Sequence, residues 1–286
     1  MKTPDAMNSV ALADARDQYR MYDEFVLSEK AGTRLGLRDF RGYVAFDSLS
    51  DSRYKAVLEF ARRDPAILTD FNVKYVFHAP HFRAYNESSF VQQSLDGRAE
   101  FRRIDAVLWQ ATAPAPLVAF YPNVVVAPPG DATLAAMRAA QQNVATARQY
   151  AVVSQDVMAQ LPAVPTVADA VGAAGSVSEI DYGTDAIAFT ITANAAGLAV
   201  LNELAYPGWQ VEVDGRAAKP LEANHMMRAV WLDAGRHRVV WAYLPTTYMR
   251  LAWLTKLAYA LLAFVGGQAL LRRWRARRAN SANAPT

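Results

Sequence analysis

Residues 206–243, YPGWQVEVDGRAAKPLEANHMMRAVWLDAGRHRVVWAY, decide the fold of the second half of the chain. Side chains of one character recur there at every second position. Trp209, Val211 and Val213 share one strand face, and His237, Val239, Trp241 and Tyr243 share another. Just upstream, Ile187, Phe189 and Ile191 repeat the pattern. Asp214-Gly215, between VEV and RAAKPL, reads as a two-residue hairpin turn, because such a turn needs positive φ. Ala234-Gly235 supplies a second tight turn. Short strands separated by turns at this spacing predict a small antiparallel β-sandwich over 176–247, with Trp209 directed into its core. Pro245 ends the last strand.

Directly after it, residues 251–271, LAWLTKLAYALLAFVGGQALL, are apolar apart from Thr255, Lys256 and Gln268. At about 1.5 Å per residue such a helix spans roughly 31 Å, the thickness of a hydrocarbon core. Lys256 lies a little over one turn inside, close enough for its stem to snorkel outward. Tyr248, Trp253 and Trp274 stand near the two ends, where interfacial aromatics belong. The reading is a transmembrane helix over 248–272 and a basic tail over 273–286, in contact with the lipid bilayer.

The formal charge of +3 is unevenly placed. Arg272, Arg273, Arg275, Arg277 and Arg278 follow the apolar run; removing those five leaves about −2 for residues 1–271. The head therefore lacks the basic surface that phosphate backbones require, and nucleic acid is excluded as a partner. The chain has no cysteine, which removes disulfides and thiolate chemistry. The arginine-rich tail is expected to stay cytoplasmic, placing the head outside. Residues 1–20 hold no apolar stretch of signal-peptide type. Either the tail is translocated against its charge, or further membrane helices accompany this chain. The second is favoured, with the head extracytoplasmic at a bacterial cytoplasmic membrane.

The first half reads as a mixed α/β lobe over 1–159, joined through an Ala/Pro/Val/Gly-rich linker at 160–175, so the whole is α+β. Residues 51–63, DSRYKAVLEFARR, place Tyr54, Val57, Leu58 and Ala61 at helical spacing, with Asp51 and Ser52 as cap candidates and Asp64-Pro65 as the stop. The β-rich run 71–77, FNVKYVF, follows at once. Further strands are expected at 101–109 and 117–126, and a short helix capped by Asp131 or Thr133 runs to Ala140.

Few patterns carry chemistry. His78 and His81 form HAPH, but Pro80 excludes helical metal-ligand spacing and no carboxylate stands beside them. No metal or cofactor is expected. His225 and His237 read as partly buried strand residues. No nucleophile elbow or glycine-rich phosphate loop is present. The densest cluster is Arg34, Arg38, Asp39, Arg41, Tyr43, Asp47, Arg53 and Tyr54, with Arg20 and Tyr22 upstream. Arginine forks match phosphate oxygens, and tyrosines stack on sugar rings. Arg20, Tyr22, Arg38, Asp39, Arg41, Tyr43, Arg53 and Tyr54 are thus the candidate substrate-binding set, against the alternative of an ion-pair network on a loop. No residue is assigned as catalytic.

Four short pieces carry a resemblance: RGY at 41–43, NVKY at 72–75, YPGW with VDG within 206–215, and AGRH at 234–237. With the runs around them, residues 16–272 resemble the C-terminal extracytoplasmic region of bacterial YfhO-like membrane proteins, of the GT-C glycosyltransferase type. The resemblance implies sugar transfer from a polyprenyl-phosphate donor to a glycan acceptor on the outer face of the cytoplasmic membrane. It also implies that the catalytic acid lies in a loop between N-terminal membrane helices, which this chain lacks. A polytopic membrane half or subunit is therefore the expected partner. The alternative is a non-catalytic, membrane-anchored module that binds glycan or protein.

Overall fold

The computed structural model describes residues 19–23, 38–40, 52–78, 95–142, 149–162 and 175–282. The cap candidate Asp51, most of the expected linker, His81 and the 41–43 motif lie outside them. Helices are interspersed with strands in the first half and eight consecutive strands fill the second, an α+β arrangement with mainly antiparallel sheets that ends in one apolar helix.

The first sheet has the order β2-β1-β3-β5-β4, built from β1 (Arg20–Asp23), β2 (Arg38–Asp39), β3 (Val73–Phe77), β4 (Phe101–Arg103) and β5 (Leu108–Ala111). β1 runs parallel to both of its neighbours, and β3, β5 and β4 pair antiparallel. The single strand expected at 101–109 is two strands. Asp105 turns the chain between them by accepting the backbone N–H groups of Val107 and Leu108 at 2.8 and 2.9 Å. Helix α1 (Ser52–Arg63) buries the expected stripe of Tyr54, Val57, Leu58 and Ala61, and stops before Asp64-Pro65. A short helix, α2 (Ile67–Asp70), not foreseen in the sequence, stands between α1 and β3 and is buried throughout.

The expected strand at 117–126 is also divided. Pro122 has no N–H to offer a ladder, and around it β6 (Val118–Tyr121) and β7 (Asn123–Val126) enter different sheets. β7 leads into α3 (Asp131–Gln142) and returns as β8 (Tyr150–Val153), parallel to β7. Parallel strands need such a crossover. A four-residue helix, α4 (Gln155–Met158), follows, capped by the Ser154 hydroxyl, which accepts the Val157 N–H.

The sandwich comprises β9 (Ser176–Tyr182), β10 (Ala186–Ala193), β11 (Gly197–Leu204), β12 (Trp209–Val213), β13 (Arg216–Ala218), β14 (Leu221–Ala223), β15 (Met227–Leu232) and β16 (Gly235–Tyr243). One sheet is ordered β13-β12-β16-β10-β9 and the other β14-β15-β11-β6. The fourth strand of the second sheet, β6, comes from the lobe and pairs antiparallel with β11, Leu198 opposite Tyr121 and Leu201 opposite Val118. The boundary at 176 is thus crossed by a hydrogen-bonded ladder.

The core explains this crossing. Leu198, Val200 and Ala229 belong to the same apolar cluster as Tyr22, Leu58, Val76 and Trp109 of the lobe. By alternation, Ala199, Leu201 and Val230 point the other way, and they too are buried. β11 is therefore covered on both faces, which is why its GLAVL run does not alternate. On the facing sheet Ile187, Phe189, Ile191, Val211, Val239 and Trp241 are buried as the period-two reading requires. Trp209 is not among them. It is only half-buried, and its ring lies against Tyr243, 5.4 Å between centroids. The expectation of a core indole at this position is corrected, because Trp209 is the first residue of β12, where the strand is just entering the sheet.

Lobe and sandwich fall in one compact unit; residues Pro207–Trp209 and Tyr243–Thr286 form a second. The second unit carries α5 (Thr246–Ala282), whose stretch Tyr248–Trp274 is long and apolar enough to cross a membrane. The helix continues through the basic residues as far as Ala282. Two polar groups about one turn inside the apolar stretch are accommodated within the helix. The Thr255 hydroxyl donates to the Leu251 carbonyl at 2.9 Å, and the Lys256 ammonium lies over the Trp253 ring, 4.9 Å from its centroid. Lysine therefore reaches back toward the helix N-terminus, as snorkelling demands.

Candidate functional site

Strand alternation puts Arg20 and Tyr22 on one face of β1, and the parallel register sets Arg20 opposite Arg38 of β2. Two adjacent guanidinium groups repel unless a carboxylate lies between them. Glu203, near the end of β11, supplies it. Arg20 Nη2 lies 2.7 Å from Glu203 Oε2, and Arg38 Nη1 lies 2.7 Å from Oε1. The Tyr182 hydroxyl of β9 donates to the same Oε1 at 2.9 Å, and the Arg38 guanidinium stacks 4.7 Å from the Tyr182 ring centroid. Arg38 Nη2 also donates to Asn72 Oδ1 at 3.0 Å, while Asn72 Nδ2 donates to the Ala115 carbonyl at 2.8 Å. Asn72 adopts φ 67°, a left-handed conformation that asparagine tolerates.

The electrostatics follow from this packing. Burial would raise the Glu203 carboxyl, but the charges of Arg20 and Arg38 prevail and hold it below the ordinary carboxylate range. Burial and the neighbouring Glu203 push the Tyr182 phenol up, so it remains a donor at neutral pH. Arg228 of β15, only 5% exposed, donates from Nε to the Leu204 carbonyl at 2.9 Å, and burial lowers its pKa to about 10.

The candidate residues thus take distinct places. Arg20 and Arg38 direct their forks inward onto Glu203. Tyr22 and Tyr54 are buried in the main core, Tyr54 with its ring 5.4 Å from Phe40. A ligand reaching either ring would have to open that core. Asp39 lies half-buried on β2. Arg41 and Tyr43 lie outside the described residues. Among the described candidates, Arg53 borders a cleft of 410 Å³, lined also by Ser52, Glu222, His225, Ser154 and Thr133, over a floor including Val152 and Val153. Arg53 pairs with Glu222 and donates from Nη2 to the Ala205 carbonyl at 3.0 Å. His225 Nε2 lies 2.8 Å from the Arg53 carbonyl. His225 sits in the β14–β15 turn with φ 72°, not in a strand as expected. Its neighbour Asn224 binds β8 twice. Its backbone N–H donates to the Val152 carbonyl at 2.7 Å, and its Oδ1 accepts the Val152 N–H at 2.9 Å.

A second charged knot escaped the sequence reading. Arg138 of α3 contacts Asp64, Asp70 and Glu100 at 3.1, 3.4 and 3.0 Å, joining three separate segments. Asp64 reads in the sequence only as a helix stop; nothing local announces its partner on α3. His78 is buried beside Trp109, 5.8 Å between ring centroids. His237 Nδ1 lies 2.8 Å from Asp214 Oδ2, and that bond, with the Arg238 N–H, lowers the Asp214 carboxyl. Among the described residues no three His, Cys, Asp or Glu side chains converge as a metal site.

No protein-family model, curated protein or solved structure matches the chain. The described motifs behind the family resemblance coincide with backbone conformations of restricted choice: Asn72 at φ 67°, Gly208 at 104°, Asp214 and Gly215 at 54° and 74°, and Gly235 at 141°. These positions specify turns and joints rather than reactive groups.

Proposed function

We propose that the chain is the membrane-anchored, extracytoplasmic C-terminal portion of a GT-C-type glycosyltransferase using a polyprenyl-phosphate sugar, with catalysis residing in a polytopic membrane half. The observation that carries this reading is α5, a single apolar span followed by five arginines. The positive-inside rule supports a head on the outer face, where the resemblance implies sugar transfer. The inward-facing arginine cluster supports a scaffolding role for this chain beside that catalytic half. The test is reconstitution of sugar transfer from a polyprenyl-phosphate donor to a glycan acceptor. The chain alone should be inactive, and co-reconstitution with its polytopic partner should restore turnover. Robust transfer by the purified chain alone would overturn the reading.

The cleft beside Arg53 favours a second reading, a non-catalytic module that binds glycan or protein. In that case Arg53→Ala should abolish glycan retention by the head while the head still unfolds cooperatively, with only the modest loss of stability expected from its contacts to Glu222 and Ala205. An Arg53→Ala variant that retains glycan as well as the native chain would remove this alternative.

A further inference from the structure

The residues that precede α5 are not a plain tether. The turn Pro207–Trp209 falls in the same compact unit as α5, although it is remote from the helix in sequence. Three contacts within that unit hold it there. The Leu244 N–H donates to the Gly208 carbonyl at 2.7 Å. The rings of Trp209 and Tyr243 meet at 5.4 Å and 49°. Gly208 has φ 104°, and a Cβ there would stand 2.8 Å from the Tyr243 ring, so only glycine lets the turn close on this strand end.

Around this joint large apolar side chains stand exposed beside Arg250. Leu244 is 45% exposed, Tyr248 71% and Met249 49%, and exposed side chains continue into Trp253 and Leu254. A water-facing joint with this composition would be costly, whereas tryptophan and tyrosine favour a place where one end is apolar and the other wet. Its height fits as well. With residues 251–271 across the hydrocarbon, Thr246 lies about 8 Å above its edge at 1.5 Å per residue, close to the depth of the headgroup layer.

We propose that the Pro207–Trp209 turn, Tyr243, Leu244 and the first turn of α5 form a collar seated in the lipid headgroup layer. Its partner is the bilayer itself. This inference rests on α5 crossing the membrane, not on sugar transfer. The collar makes the membrane contact wider than one helix, and it couples the entry of β12 and the exit of β16 to the lipid surface.

The absence of cysteine allows a direct test, since any introduced thiol is a unique labelling site. Full-length Leu244→Cys, Val265→Cys and Ser178→Cys chains would carry an environment-sensitive fluorophore in phosphatidylcholine vesicles. Nitroxide lipids would quench it either from the headgroup or from deep on the acyl chain. The Leu244 label should lose intensity chiefly to the headgroup nitroxide, Val265 to the deep one, and Ser178 to neither. Equal loss at Leu244 and Ser178, with Val265 still quenched from depth, would overturn the collar and leave the span intact. Stronger loss at Leu244 to the deep nitroxide would also overturn it, by placing the joint in hydrocarbon. A Val265 label quenched by neither would remove the span and the collar together.

Discussion

Glu203 receives donors from three strands, Arg20 on β1, Arg38 on β2 and Tyr182 on β9. Removing its charge leaves two largely buried guanidinium groups without compensation. We expect Glu203→Gln to destabilise the chain by about 3–5 kcal/mol, read as a fall in melting temperature in detergent. Because the folded-state carboxyl titrates below its unfolded value, its contribution is complete above the unfolded pKa and disappears as pH falls through the folded one. The acid limb of the stability profile should therefore flatten in Glu203→Gln. A variant that keeps the native melting point and acid limb would show that the cluster carries no net stability. The sequence left the arginine cluster open as a phosphate site or an ion-pair network on a loop, but its carboxylate was not legible, because Glu203 stands 165 residues from Arg38 and only the fold brings it there. The Asp214-Gly215 turn, in contrast, was readable at once, since its demand for positive φ is satisfied locally.

At the scale of elements, the period-two and helical patterns located most strands and helices, and tertiary pairing decided the rest. Pro122 divides one apolar run between two sheets, and β11 loses its alternation because both faces are covered. The β14–β15 hairpin shows how such pairings are secured. Its turn residue Asn224 takes φ 48° and meets both backbone groups of Val152, imitating an added strand at the β8 edge. Alanine at this position would adopt the left-handed conformation less readily and would leave a buried N–H without its acceptor. Asn224→Ala should cost roughly 2–4 kcal/mol in urea denaturation. Asn224→Gly, which relieves only the backbone term, should recover part of that loss. Equal stability of both variants and the native chain would mean that the hairpin does not hold β8.

For the whole molecule, the ladder between β6 and β11 makes a testable claim about what folds together. Composition suggested a lobe, a linker and a sandwich, because an Ala/Pro-rich stretch separates two patterns. Yet β6 completes a sandwich sheet, and Leu198, Val200 and Ala229 pack in the lobe's own core. A fragment comprising 176–247 would lack its fourth strand and expose that buried face to water. It should be poorly soluble or molten, with strong dye binding and weak near-ultraviolet circular dichroism. A fragment comprising 1–243 keeps β6, the shared core and the Glu203 cluster, and loses only α5 with its entry. It should show a cooperative transition and native-like aromatic signals. If 176–247 alone gave dispersed, cooperative behaviour, the sandwich would be an independent domain and the β6 ladder a dispensable addition. The two fragments differ in more than length: one cuts through a hydrogen-bonded sheet, and the other cuts between the head and the membrane helix.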